Sequence, residues 1–242
     1  MNNTLFKRSR IIGFLLAVGL TALGLLPLPY LAYAASPPVF VQKKLIRVTA
    51  GGSVSVTFTK PNTAGNLIVA YVVWDNSGAV SLTDSRGNTY VSAIGPTQAS
   101  SDPSSVQIFY ASNISGGTNT VTAHFATAIT SRGVLYVYEY AGIERTAPLD
   151  AAVAASGASS AMDSGVLTTT GMNELLFMGA ESNGKAIKFV THGYRPRSNK
   201  YGNRTADQIA ATAGAYSAQA TQKGTAWVMQ LVAFKPFGST SP

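Results

Sequence analysis

Side chains that could bind an anion are concentrated in one basic segment, residues 182–204. Cations, rings and an imidazole alternate there without any acid: Lys185, Lys188, Phe189, His192, Tyr194, Arg195, Arg197, Lys200, Tyr201 and Arg204. Positive charge attracts polyanions, and flat rings stack on sugars or bases. The composition therefore suits a carboxylated or sulfated polysaccharide, an anionic lipid headgroup or a nucleic acid. The alternative is a solvated loop, which charge runs commonly form.

We predict a binding site on this segment and expect its ligand to be an anionic polysaccharide or another cell-surface polymer. No nucleic-acid partner is expected. The predicted site consists of the following residues: Lys185, Lys188, His192, Tyr194, Arg195, Arg197, Lys200 and Tyr201.

An enzymatic use of the same segment is a second hypothesis. A polysaccharide lyase needs a base and an acid beside a cation that neutralises the substrate carboxylate, and His192, Tyr194 and Arg195 have those chemical types. Neighbouring residues on an extended strand point in opposite directions, however, so this trio would need a bent loop. The sequence has no nucleophile elbow, zinc motif, phosphate loop or dinucleotide fingerprint. No catalytic residue is predicted.

Glu139 lies inside the apolar run GVLYVYEY and offers a second place for chemistry. A carboxylate in such a strand must be paired or exposed, because burying a bare charge is very costly. We expect it to be bonded to backbone N–H groups or to an arginine. The alternative is a glycosidase, in which Glu139 would pair with Glu174 or Glu181 across a scissile bond.

The same run places three tyrosines, Tyr136, Tyr138 and Tyr140, on the opposite face of the strand. They could form a sugar-stacking platform, but we expect a core position with the hydroxyls at its rim. On another alternating strand, residues 120–125, His124 shares the polar face with two threonines. We predict that it is an exposed strand residue.

The turn Asp84–Tyr90 could be structural or could hold a metal ion. Asp84 can accept backbone N–H groups while Gly87 adopts a positive φ, as a tight reversal requires. The alternative is a Ca²⁺ loop that uses oxygens of Asp84, Asn88 and Asp75 or Asn76. Because acids are sparse, the structural turn is the main expectation. No other cofactor is expected.

Short strands must position all of these residues. Residues 67–74, 133–140 and 226–234 are continuous apolar runs typical of buried strands, and residues 53–59 alternate between apolar and polar side chains. Turn residues follow at each interval, and neither helical periodicity nor a tandem repeat is evident. We predict an all-β, two-layer antiparallel β-sandwich of jelly-roll type, with a closed barrel as the alternative.

The N-terminal residues have the features of a secretory signal peptide. Basic residues precede the apolar run 11–26, and Ala32-Tyr33-Ala34 forms a small-x-small cleavage site. Cleavage would leave one β-sandwich domain, residues 35–242, with no membrane span and a formal charge of +5 instead of +8. The alternative is an uncleaved anchor, although the run is short for a span. The chain has no Cys, so an exported product would lack disulfides.

Several phrases resemble a widespread, largely uncharacterised group of secreted bacterial β-sandwich domains. These are AGNLIVAYVVW, LTDSRGNTY, SGGTNTV and VYEYAGI, with WVMQLVAFKP near the end. The resemblance spans about Asn66 to Pro236 and implies a fold and a register, but no catalytic residues. We therefore predict a secreted, non-enzymatic module that binds carbohydrate or a cell-surface polyanion. The alternatives are an assembly protein of the envelope or an appendage, and a polysaccharide-active lyase or glycosidase.

Overall fold

The computed structural model describes residues 35–184 and 187–239, and this part of the chain is all-β. Apart from a short 3-10 turn at Lys200–Gly202, its regular elements are β-strands in antiparallel sheets. The prediction of an antiparallel β-sandwich is confirmed. The predicted signal peptide, residues 1–34, and the predicted site residue Lys185 lie outside the described residues.

The first half of the described chain is a jelly roll. Its eight strands are β1 (Val39–Val48), β2 (Gly51–Thr57), β3 (Leu67–Trp74), β4 (Val80–Asp84), β5 (Val91–Gln98), β6 (Ser105–Ala111), β7 (Thr120–Ile129) and β8 (Gly133–Ala141). They form a five-stranded sheet in the order β1-β8-β3-β6-β5 and a three-stranded sheet in the order β2-β7-β4. A jelly roll has this pattern, except that β5 here joins the larger sheet.

The second half repeats this topology. Its strands are β9 (Leu149–Gly157), β10 (Ala161–Asp163), β11 (Leu167–Thr169), β12 (Glu174–Ser182), β13 (Lys188–Phe189), β14 (Arg195–Ser198), β15 (Arg204–Ala210), β16 (Gly214–Tyr216), β17 (Gln219–Thr221) and β18 (Trp227–Phe234). The large sheet has the order β9-β18-β12-β15-β14, which matches β1-β8-β3-β6-β5 strand for strand. The sheet β10-β17-β13 matches β2-β7-β4, and β11-β16 is an addition. Two similar sandwiches therefore lie in tandem, although the sequence shows no repeat.

The two five-stranded sheets pack face to face, and each also has a smaller sheet on its outer face. One core lies between the large sheets and contains the tyrosines of β8 together with Phe177 and Phe234. A second core fills the first sandwich around Trp74, and a third fills the second sandwich around Trp227. Because β3, β8, β12 and β18 are buried on both faces, they are continuous apolar runs without alternation.

The two seams between the large sheets differ. Along one seam, β5 lies against β9, and the Gln230 side chain donates hydrogen bonds to Thr97 Oγ1 at 2.9 Å and to the Val106 carbonyl at 3.2 Å. Apart from Asp150, β5 and β9 carry no charged residue. Along the other seam, β1 and β14 are the sheet edges, and a groove runs between them that side chains cross, since the Lys43 ammonium donates to the Arg197 carbonyl.

Candidate functional site

The open seam forms what we call the β1–β14 groove. Three cavities lie along it in the direction of β1, with volumes of about 640, 370 and 480 Å³. Its principal lining residues are Phe40, Lys43, Leu45 and Arg47 from β1, Arg195 and Arg197 from β14, and Lys200 and Tyr201 from the 3-10 turn. At about 3.3 Å per strand residue, the β1 side extends for roughly 23 Å, so the groove suits an extended polymer.

Strand alternation explains why β1 presents cations here. Lys43 and Arg47 line the groove on either side of Leu45, which packs onto the core between the large sheets. Ile46 and Val48 point the other way, into the first sandwich. The face of β1 towards the groove thus alternates positively charged and aliphatic side chains, whereas the other face carries Gln42 and Lys44 before the apolar Ile46 and Val48.

Arg197 is the fixed cation of the groove. Its Nε lies 2.6 Å from Asp207 Oδ2, and its guanidinium lies over the Phe40 ring at 3.9 Å from the centroid. Tyr140 donates a second hydrogen bond to the same Asp207 oxygen at 2.6 Å. Burial lowers the pKa of Arg197, but the hydrogen bond and charge of Asp207 outweigh this and raise it. Arg197 therefore remains a cation held in one orientation.

The other cations of the groove have no compensating acid. Among the described residues, none of Lys43, Arg47, Arg195 and Lys200 forms a salt bridge with a carboxylate. Burial and the nearby charges of Arg197 and Lys200 lower the pKa of Lys43. A bound anion would reduce the repulsion between these positively charged side chains. The groove therefore favours a negatively charged ligand.

The three tyrosines of β8, Tyr136, Tyr138 and Tyr140, pack beneath the groove. The Tyr136 hydroxyl donates to the Lys200 carbonyl at 2.8 Å, and the Tyr138 hydroxyl lies 2.6 Å from Thr205 Oγ1. All three tyrosines are fully buried between the large sheets, as the core interpretation predicted. Burial raises the pKa of Tyr138, so its hydroxyl keeps its proton for hydrogen bonding.

The structure brings together four of the eight predicted site residues, Arg195, Arg197, Lys200 and Tyr201. The remaining described ones do not line the groove. Lys188 is exposed on the outer strand β13, His192 is exposed in the turn before β14, and Tyr194 is buried in the third core.

The lyase trio is therefore not assembled, because the Tyr194 ring stacks on Phe189 on the far side of the sheet from Arg195 and Arg197. Sequence reasoning missed Phe40, Arg47 and Asp207 as parts of the groove. The alternation along β1 carried the signal for Arg47, which follows Lys43 and Leu45 at intervals of two residues. A bulge between Phe40 and Gln42 breaks this alternation, so it gave no signal for Phe40. For Asp207, which lies far from β1 in sequence, no local signal existed.

Glu139 has a structural environment. It is fully buried, and four donors surround its carboxylate: the side-chain amides of Gln42, Asn62 and Asn66 at 2.7 Å each, and the Thr63 N–H at 2.8 Å. The carboxylate is thus paired, as predicted, but with side-chain amides and a backbone N–H and not with an arginine. It links β1 and the loop before β3 to β8. Glu174 and Glu181 lie on β12 in the other large sheet, so the proposed glycosidase pairs do not form.

Glu181 lies near the end of the groove, beneath the 480 Å³ cavity. Its side chain is fully buried and lies 2.9 Å from Arg132 Nη2, which also approaches Asp102 at 3.7 Å. Burial raises the pKa of Glu181 to about 7, with the Arg132 charge opposing the shift and Asp102 adding to it. Because no part of Glu181 is exposed, it holds Arg132 in place and does not reach a ligand.

The Asp84 turn is occupied by its own donors. Asp84 Oδ1 accepts the N–H groups of Arg86 and Asn88 at 3.0 Å. Oδ2 accepts Asn88 Nδ2 at 2.7 Å and both Tyr90 OH and Asn119 Nδ2 at 2.9 Å. Burial would raise the pKa of Asp84, but the bonds from Asn119 and Asn88 outweigh it and lower the pKa. The carboxylate oxygens thus face hydrogen-bond donors, as a structural turn requires.

Asp75, a further oxygen ligand in the calcium hypothesis, is bonded in the same manner. One of its oxygens accepts hydrogen bonds from the backbone and hydroxyl groups of Thr130 and Ser131. In residues 35–184 and 187–239, no group of three or more acidic, histidine or cysteine side chains is placed to hold a metal ion.

Comparison with known proteins finds no family model, no curated protein and no solved structure that matches the chain. The resemblance to secreted bacterial β-sandwich domains therefore stays a prediction. Within the described residues, no helix has both the length and the apolar character needed to cross a membrane.

Proposed function

We propose that this protein is an exported, non-enzymatic module that binds an anionic polysaccharide in the β1–β14 groove. The observation that carries the proposal is the difference between the two seams of a duplicated fold. One seam is closed by nearly uncharged strands, whereas the other holds a groove lined by seven cations, of which only Arg132 and Arg197 are paired with carboxylates among the described residues. A duplicated structure has no architectural need for such an asymmetry.

The type of ligand follows from the composition of the groove. Seven cations line the three cavities against three acids, Asp75, Asp102 and Asp207, and this excess of positive charge selects a polyanion. Phe40 and Tyr201 supply ring surfaces, and Tyr201 is 41% exposed. Aromatic faces suit the apolar faces of sugars, and a groove of roughly 23 Å is longer than a single sugar needs. A carboxylated or sulfated polysaccharide meets all three conditions.

The test is binding to heparin, a sulfated polysaccharide, and to polygalacturonate, a carboxylated one. A triple variant, Lys43→Gln, Arg195→Gln and Lys200→Gln, removes three cations that make no salt bridge. We expect its affinity to fall about tenfold or more, with elution at lower salt. The slope of log K against log salt should decrease by about one to three, because fewer counterions are released.

The matched control is Lys60→Gln, Lys188→Gln and Lys223→Gln, which removes the same charge from exposed positions outside the groove. This variant should retain most of the affinity. If both triple variants lose binding equally, net charge and not the groove is responsible. If the unmodified protein binds neither polymer, or releases new reducing ends or unsaturated products from them, the proposed function is wrong.

A further inference from the structure

A lysine and two acids meet at one end of the second sandwich, away from the groove. Asp150 lies on β9, Glu174 begins β12, and Lys235 directly follows β18, the strand between them. Lys235 Nζ is 4.0 Å from Asp150 Oδ1. The Asp150 side chain is 4% exposed and Glu174 is fully buried, whereas the Lys235 side chain is 24% exposed, so the acids are shielded from water and the lysine is only partly shielded.

Glu174 is unusual because half of its carboxyl group lacks a donor. Oε1 accepts the Gly171 N–H at 2.7 Å, whereas Oε2 is buried without a hydrogen-bond donor. The charge of Asp150 acts on the Glu174 carboxyl, and two ionised carboxylates near each other repel. Burial, with Asp150 adding to it, raises the pKa of Glu174 to about 7. If Glu174 is protonated, the repulsion between the two carboxyl groups is removed.

We propose that Lys235 and Asp150 form an intramolecular isopeptide bond, with Glu174 as the residue that transfers protons. The three side chains bring an amine, a carboxyl group and a buried acid to one end of the second sandwich, with Lys235 Nζ 4.0 Å from Asp150 Oδ1, and these are the groups that such a condensation requires.

The reaction balances without any outside reagent. A proton first passes from the Lys235 ammonium to the Asp150 carboxylate, which leaves a neutral amine and a carboxylic acid. Nζ then attacks Asp150 Cγ, and an N–C bond forms. The protonated Glu174 donates its proton to the departing hydroxyl, so that the C–O bond breaks and one water leaves, and it recovers a proton from the nitrogen, which becomes the amide N–H.

Thr170 is positioned to assist this step. Its backbone N–H donates to Asp150 Oδ2 at 2.8 Å, and its hydroxyl lies 2.6 Å from Oδ1. Negative charge develops on one carboxyl oxygen during attack at Cγ, and a fixed N–H donor stabilises it. Oδ1, the oxygen nearer to Lys235, is the one that would leave as water.

The chemistry also suits the composition of the chain. The sequence has no Cys, so a disulfide cannot close the second sandwich. An amide between Asp150 and Lys235 would close residues 150–235 into a ring that contains β10 to β18. A covalent ring stabilises a fold chiefly by restricting the unfolded chain, as disulfides do.

Intact mass spectrometry of the purified, denatured protein tests the proposal. We expect a mass lower by one water than the mass calculated for the N-terminus that sequencing finds. Tryptic digestion should release a branched peptide in which residues 146–185 are joined to residues 224–242. Lys235→Arg and Glu174→Gln should each restore the full mass, whereas the control Lys223→Arg should keep the deficit.

The unmodified protein provides the decisive result, because it does not depend on whether a variant folds. If it has the full calculated mass, both when fresh and after days at room temperature, the proposal is wrong. It is equally wrong if a deficit persists in Lys235→Arg or if the branched peptide is missing. Circular dichroism of Glu174→Gln checks that its restored mass comes from a folded chain.

Discussion

Asp84 stabilises the first sandwich through five hydrogen bonds that converge on one carboxylate. Asp84→Ala leaves these partly buried donors without an acceptor, so we expect a loss of about 2–4 kcal/mol in the free energy of unfolding. Urea denaturation measures this loss. His124→Ala, on the exposed face of β7, is the control and should change stability by less than about 0.5 kcal/mol.

The Asp84→Ala variant also tests the calcium hypothesis. Because the Asp84 oxygens already accept hydrogen bonds from five donors, the melting temperature should be the same in millimolar Ca²⁺ as in EDTA. A rise of several degrees in Ca²⁺ that is lost in Asp84→Ala would contradict the structural interpretation of the turn.

Glu181 makes stability depend on pH. Its pKa is raised from 4.5 to about 7 in the folded protein, so the folded state binds this proton more tightly than the unfolded chain does. The stability that results is fully present below pH 4.5 and is lost as the pH rises towards 7. We expect a decrease of about 2–3 kcal/mol from this group across that range.

The Glu181→Gln variant should show a smaller decrease over the same interval, because glutamine does not titrate. Denaturant titrations at pH 5, 6 and 7 measure the difference. Glu174 has a raised pKa as well, so part of the slope should remain. Identical slopes in the variant and the unmodified protein would show that Glu181 is not the group responsible.

At the residue scale, the sequence predicted that a buried polar group must have hydrogen-bond partners, but it did not predict which residues those partners are. It predicted that Glu139 must be paired, since a bare buried carboxylate is too costly. It did not predict pairing with Gln42, Asn62 and Asn66, because these residues are brought together only by the register of β1, β3 and β8. Of the predicted binding residues, Arg195, Arg197, Lys200 and Tyr201 line the groove, whereas the Tyr194 ring packs in the third core on the other side of the sheet.

At the scale of elements, β3 and β12 meet through one close contact. A Cβ atom on Gly179 would lie 2.5 Å from the Tyr71 ring, so only glycine fits there. We expect Gly179→Ala to destabilise the protein by about 2 kcal/mol or more through overpacking. Gly52→Ala is the control, because its Cβ would meet nothing within 4 Å.

A double-mutant cycle identifies the cause. Combining Gly179→Ala with Tyr71→Leu removes the opposing ring, so the glycine substitution should cost at least about 1 kcal/mol less in that background. Thermal or urea unfolding of the four proteins provides the measurement. Additive losses would mean that Tyr71 is not what excludes a side chain at position 179.

Continuous apolar runs and clean alternation were the elements most readily predicted. The run of residues 226–234 was predicted to be a buried strand, and β18 is buried between β12 and β9. The strands near the basic segment were harder to predict, because β13, β14, β16 and β17 have only two to four residues. Such short strands are defined by their neighbours and not by their own periodicity.

At the scale of the whole molecule, the shared core should make the two halves unfold together. Trp74 lies in the first sandwich and Trp227 in the second, and these are the two tryptophans of the chain. Trp74→Phe and Trp227→Phe therefore leave one reporter in each half. In each variant, the urea transitions seen by fluorescence and by circular dichroism should coincide. Two separated transitions would show that the halves are independent.

The jelly-roll type was predictable from the sequence, but its duplication was not. Leu67 pairs with Tyr140 as Leu175 pairs with Phe234, which makes Tyr71 and Gly179 equivalent positions. These two residues touch each other across the shared core, and a large side chain on one side requires a small one on the other. At this pair of equivalent positions, complementary packing requires different side chains, so the two halves cannot share the same residue there.

The duplicated architecture explains how one seam could become specialised. Two identical subunits related by a twofold axis carry every substitution twice, so a cluster of cations would arise at both seams at once and would repel the partner at each. Covalent fusion of two ancestral copies removes that restriction, since each copy can diverge alone. The closed side then serves as a permanent attachment, and the opposite rim is free to evolve new chemistry without loosening the assembly.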